Sequence, residues 1–93
     1  MTDNVELFKS IVEEMLETYK KKNHDYGSSF KNLCDKFGLL AAAIPLNNKV
    51  ERINSLITKK ENKVNESIED SLKDLANYAI MTLIYINKNG ESR

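Results

Sequence analysis

In the stretch ESIEDSLKDLANYAIM, Asp70 and Asp74 stand four residues apart, and Asn77 follows three residues later. On a helix these steps place two carboxylates and an amide along one side, on a line that continues through Met81 and Ile84. Such a line can meet a divalent cation, orient water or pair with cations, so the chemistry it points to is a phosphate or metal-phosphate site. Its upper half is apolar and suits a helix contact, where an unpaired carboxylate is costly. The acids therefore require cationic or metal partners.

The segment around Pro45 offers those partners. Its line Ala42, Pro45, Lys49, Arg52 and Leu56 carries two cations between less polar ends, and Glu51 adds an acid beside Arg52. Face to face, the two helices would set Lys49, Arg52, Asp70, Asp74 and Asn77 around a common cleft. A structural reading stands beside this one, in which Asp70 and Asp74 form salt bridges to Lys49 and Arg52 that only fix the helix register. Other residues offer less. His24 reads as a surface residue in a loop, and one Cys with one His does not make a zinc site. Cys34 reads as core, the runs YKKK and TKKENK read as solvated helix ends, and there is no glycine-rich phosphate loop.

The elements that must hold these residues are helices. Glycine occurs only at Gly27, Gly38 and Gly90 and proline only at Pro45, and no stretch alternates with strand period. Phe8, Ile11, Val12, Met15 and Tyr19 predict a helix from about Asn4 to Lys22, with Asp3 as N-cap and Glu6 three residues on. NHDYGSS interrupts the pattern, with Gly27 free to take positive φ and Ser28 or Ser29 able to cap a short helix. That helix carries Phe30, Leu33, Cys34 and Phe37 inward and ends at Gly38. Leu39, Ala43, Leu46, Val50, Ile53 and Ile57 keep one stripe through Pro45, leaving a kinked helix and a broken one both open. TKKENKVN is a polar connection, with Asn65 as cap and Val64 packing back. The last helix runs to about Asn87 with Ile68, Leu72, Leu75, Ala79, Leu83 and Ile86 on its apolar face. The expectation is an all-α fold: a small bundle of four to five helices.

The 93 residues read as a single domain that buries a modest core, so completion by oligomerisation, with homo-oligomer as the default, is expected. Fourteen Lys and Arg balance fourteen Asp and Glu, which leaves no bulk field to attract nucleic acid or an anionic membrane. The lone cysteine fits a reducing compartment. MTDNVELFKS lacks a basic start followed by an apolar run, and no segment has the apolar length of a membrane span. A cytoplasmic location is the expectation.

Three blocks, KNHDYGSSF, IPLNNKVERINSL and ESIEDSLKDLANYAIMTLIYI, resemble the small, often phage-encoded nucleotide modification associated domain 1 family. That family is similar in turn to MazG-like all-α nucleotide pyrophosphohydrolases. The resemblance covers roughly residues 22–86 and is most specific in the last block. It implies Asp70 and Asp74 as catalytic and as ligands of magnesium, with Asn77 orienting water, sugar or base. It likewise implies Lys49 and Arg52 neutralising phosphates, and Asp25 and Tyr26 near the nucleotide. Glu51 is the remaining catalytic candidate, as the only acid on the helix where MazG-like enzymes carry a Glu pair. Asp70 and Asp74 are four apart where those enzymes have Glu and Asp three apart, and Asn48 stands where phage relatives often have Asp. Fewer carboxylates weaken magnesium binding. The resemblance thus implies a magnesium-dependent nucleoside triphosphate pyrophosphohydrolase. The alternatives are a non-catalytic nucleotide-sequestering module of phage anti-defence type and a structural or regulatory helical dimer.

Overall fold

Asp3 opens the first helix as its spacing predicts. Its backbone is extended, its side-chain oxygen accepts the Val5 N–H at 3.3 Å, and its carbonyl accepts the Leu7 N–H at 3.0 Å. The computed structural model describes residues 3–59 and 64–89, apart from the side chains of residues 23–27, 59, 64–67 and 89. These residues form a small all-α bundle of three helices, α1 (Asn4–Phe37), α2 (Leu40–Lys59) and α3 (Val64–Asn89), and among them there is no strand.

Two segments expected as separate helices are one. The backbone of NHDYGSS is helical, and α1 runs through it. Gly and Ser in a helix interior cost roughly 0.5 to 1 kcal/mol each relative to Ala. Here the helix is held on both sides of the weak stretch, because Tyr19 packs against the same core that contains Phe30 and Cys34. The true break is at Gly38, whose φ of 78° is open to glycine and whose N–H closes on the Cys34 carbonyl at 2.8 Å. Pro45 does not break α2. It lies in the second turn and removes only the N–H that would have bonded the Ala41 carbonyl. α3 begins at Val64, which puts Asn65 inside the helix rather than at its cap.

α2 runs antiparallel to α3, with Lys49 opposite Asp74 and Ala41 and Ala42 clustered with Met81 and Tyr85. α1 runs in the same direction as α3, since Glu14 meets Lys73 and Asp35 meets Tyr85. Between those two contacts lie roughly 32 Å of α1 and roughly 18 Å of α3. α1 therefore does not track α3 in a straight line.

Burial overturns part of the periodicity reading. The core is Phe30, Cys34, Ala41, Ala42, Met81 and Tyr85, with Ile53 also buried. On α3 the interior side is the mixed line through Asp74, Asn77 and Met81, while Leu72, Ala79 and Leu83 of the more apolar stripe are exposed. On α2 it is Ala42, Pro45, Lys49 and Leu56 that turn inward, while Leu39, Ala43, Val50 and Ile57 are exposed. Phe8, Ile11 and Val12 of α1 also face solvent, as do Leu33 and Phe37. Among the described residues the three helices cover these apolar stripes only in part, at Ile53 fully and at Leu46, Ile68, Leu75 and Ile86 by about half.

Candidate functional site

The acid line of α3 is covered by α1. Asp70, Asp74 and Asn77, with Lys73 between them, form one wall of a cleft of about 340 Å³, and Glu14, Met15, Thr18 and Lys22 form the other. Glu14, Thr18 and Lys22 recur every four residues, so one side of α1 presents a carboxylate, a hydroxyl and an ammonium in succession. This side was legible as a polar line in the sequence. The apolar residues beside it define the helix in the sequence, and Lys22 is expected at a solvated helix end; in the structure the helix continues past it, and the lysine lines the cleft.

Two ion pairs organise the walls. Lys73 Nζ lies 3.0 Å from Glu14 Oε2, joining α3 to α1. The Glu14 carboxylate raises the Lys73 pKa above its ordinary value, with further support from Glu69 and Asp70 against a smaller opposing effect of desolvation. Lys49 Nζ lies 3.2 Å from Asp74 Oδ2, joining α2 to α3. Their side chains are 28% and 44% exposed, so this pair contributes at most about 1 kcal/mol. Asn77 donates through Nδ2 to Met81 Sδ at 3.5 Å, which fixes the amide at the inner end of the cleft. Among the described residues, Lys22 and Asp70 line the cleft without an ion pair.

The sequence candidates divide accordingly. Asp70, Asp74 and Asn77 come together, and Lys49 reaches them through Asp74. Arg52 is exposed and makes no ion pair among the described residues, so it does not flank the acids as the face-to-face pairing expected. Glu51 is exposed on α2 and does not line the cleft. Asp25 and Tyr26 have side chains outside the described residues, as does His24. Asn48 lines a second, apolar cavity. Glu14, Met15, Thr18, Lys22 and Lys73 are the cleft residues that sequence reasoning does not single out.

A family model for nucleotide modification associated domain 1 matches residues 22–86. The chain belongs to this family. The match takes in all of α2 and most of α3, so the α3 wall of the cleft lies within the nucleotide modification associated domain, whereas Glu14, Met15 and Thr18 lie before it. No curated protein and no solved structure matches the chain.

Magnesium, implied by resemblance to the pyrophosphohydrolases, requires several oxygen ligands in near-octahedral order. Among the described residues no group of three or more His, Cys, Asp or Glu side chains is arranged to hold a metal ion. Glu14 and Asp74 are each engaged by a lysine, which leaves Asp70 as a single carboxylate. The described residues of the nucleotide modification associated domain therefore do not fit a resident magnesium ion. Among the described residues there is also no helix long and apolar enough to cross a membrane.

Proposed function

We propose that this chain binds a nucleotide, or a small molecule like one, in the cleft between α1 and α3. The observation that carries the reading is the meeting of Lys22 and Lys73 with Asp70, Asp74 and Asn77 around about 340 Å³, within a chain of a nucleotide-related family. That volume lies at the lower end of small-molecule sites. Lys22 receives the phosphate end, Lys73 stays paired with Glu14 in the wall, and Asn77 supplies donors and an acceptor to the sugar. Asp70 faces any cation that the phosphates bring with them. Lys49 and Arg52, which the resemblance implies as phosphate ligands, act differently in this reading: Lys49 holds Asp74 in place, and Arg52 stays outside the cleft.

Binding without turnover is favoured over pyrophosphohydrolase action, because Asp74 is tied to Lys49 and Glu51 does not line the cleft, which leaves Asp70 as the one unengaged candidate acid there. The experiment is incubation of the purified chain with a panel of nucleoside triphosphates and cyclic nucleotides, with and without magnesium, followed by ion-exchange analysis of bound and free fractions. Retention of one intact nucleotide is the expected result. Release of monophosphate and pyrophosphate only when magnesium is present would establish the MazG-like enzyme instead. Retention of nothing would leave a helical dimer whose polar line fixes register.

Self-association belongs to the same proposal. The accessible surface is 7367 Å², against about 5500 Å² for a folded monomer of 10.7 kDa. The radius of gyration is 15.0 Å, against about 12 Å for a compact chain of this length. Ile11, Leu72 and Ala76 border a groove on the outside of the α1 and α3 pair, and Phe8 and Leu83 are more than half exposed. A second copy covers these residues, and light scattering should return at least twice the chain mass. A monomer at micromolar concentration would refute it. The setting expected for such a binder is the cytoplasm.

A further inference from the structure

A second cavity, of about 240 Å³, opens between α2, α3 and the later part of α1. It is below the roughly 300 Å³ at which sites for whole small molecules begin, and it suits one planar ring. Phe30 and Tyr78 stand in its wall as a tilted pair, with centroids 5.9 Å apart and planes at 53°. Ala41, Pro45 and Asn48 border it from α2.

An aliphatic occupant would use only part of this lining. Asn48 stands in the cavity wall, and its amide has both donors and an acceptor for the edge of a heterocycle. Aromatic walls with a few polar groups at one edge are the chemistry of base recognition.

The cavity is also correctly placed relative to the cleft. On α3, Asn77 lines the cleft and Met81 lines the cavity, one helical turn apart and joined by the amide-to-sulfur contact at 3.5 Å. A turn of helix rises about 5.4 Å, which is of the order of the reach from phosphate to base across a sugar. We infer that this cavity is a nucleobase subsite, in which Phe30 and Tyr78 hold the ring and the Asn48 amide reads its edge, while the phosphates lie in the cleft. The inference rests on the nucleotide reading and adds the half of the ligand that the cleft does not recognise.

The test is calorimetric titration of the full chain with inorganic tripolyphosphate, with the common nucleoside triphosphates, and with the corresponding nucleosides. It is run for the wild type, for Asn48→Ala and for Ile44→Trp. Ile44 borders the cavity at 59% exposure, so a larger ring there blocks the mouth without entering the core. Circular dichroism should give all three proteins the same melting temperature. Wild type should bind one nucleoside triphosphate at least about tenfold more tightly than tripolyphosphate, a step of about 1.4 kcal/mol. Ile44→Trp should bring that nucleotide down to the tripolyphosphate level, and Asn48→Ala should reduce discrimination among bases, with tripolyphosphate unchanged in both. Equal binding of tripolyphosphate and every nucleotide by the wild type would overturn the base subsite and leave the phosphate site standing. A nucleotide advantage that survives Ile44→Trp would place the ring elsewhere and also overturn it. Nucleoside binding without tripolyphosphate binding would support the subsite and refute the phosphate reading, and binding of none would refute both.

Discussion

The cleft and the cavity lie one turn apart on α3, and their walls solve different problems. Around the cleft, charge is balanced across helices: Lys73 is held by Glu14 of α1, and Asp74 is held by Lys49 of α2. Around the cavity the same helices meet through rings, small residues and a proline. Half-exposed ion pairs contribute little to stability, whereas each buried ring removes a large apolar area from water. The cavity side therefore contributes more to holding the bundle together than the cleft side does.

The largest test of that contrast is Phe30→Ala. Phe30 is 8% exposed, joins the core cluster and pairs with Tyr78. Its truncation should cost about 3 kcal/mol or more in urea unfolding. A loss below about 1 kcal/mol would place the stabilising core elsewhere. Lys22→Glu addresses the other side. It should lower nucleotide affinity by about tenfold to a hundredfold, the scale of a charge-assisted hydrogen bond, while the urea midpoint stays put. Equal affinity in both proteins would remove Lys22 from the site. Tyr85→Phe comes next: it deletes the 3.1 Å hydrogen bond that the Tyr85 hydroxyl donates to Asp35 and should lower the midpoint slightly without changing the slope.

The smallest effects are in pH. Lys31 beside Asp35, at 2.7 Å, holds that carboxyl below its ordinary pKa, with the Tyr85 hydroxyl assisting against desolvation. A depressed carboxyl adds stability that is present above the unfolded pKa near 3.8 and is lost as pH falls through the folded value. Lys73 has the opposite sign: its raised pKa adds stability below the unfolded value near 10.5, lost as pH rises through the folded one. Asp35→Asn should flatten the acid limb of the stability profile and Lys73→Met the alkaline limb. If both limbs kept their wild-type form, neither pair would be linked to folding.

The sequence discloses the all-α class, the Asp3 cap, the end of α1 at Gly38, and the joint exposure of Asp70, Asp74 and Asn77 to one cleft. It also discloses that Lys49 faces the acids. It does not disclose which helix closes over them. Glu14, Thr18 and Lys22 are as regular as the acids, but a four-residue polar step is also what a solvated face looks like, and only tertiary packing distinguishes the two. The unbroken course of α1 through NHDYGSS is hidden for a related reason. Turn propensities there amount to a few kcal/mol at most, and packing by Tyr19 and Phe30 on either side exceeds them. The outward apolar stripes are hidden because hydrophobic period reports that a face is apolar, not how far the fold buries it.

The central claim is that a nucleotide occupies the α1 and α3 cleft, and the most direct measurement is a nuclear magnetic resonance titration of the nitrogen-labelled full chain with nucleoside triphosphates. The amides of Thr18, Lys22, Asp70, Lys73, Asp74 and Asn77 should shift together along one saturating curve for a single nucleotide, while those of Val5 and Phe8 remain in place. No saturating shift with any nucleotide, or shifts confined to residues outside the cleft, would contradict the account.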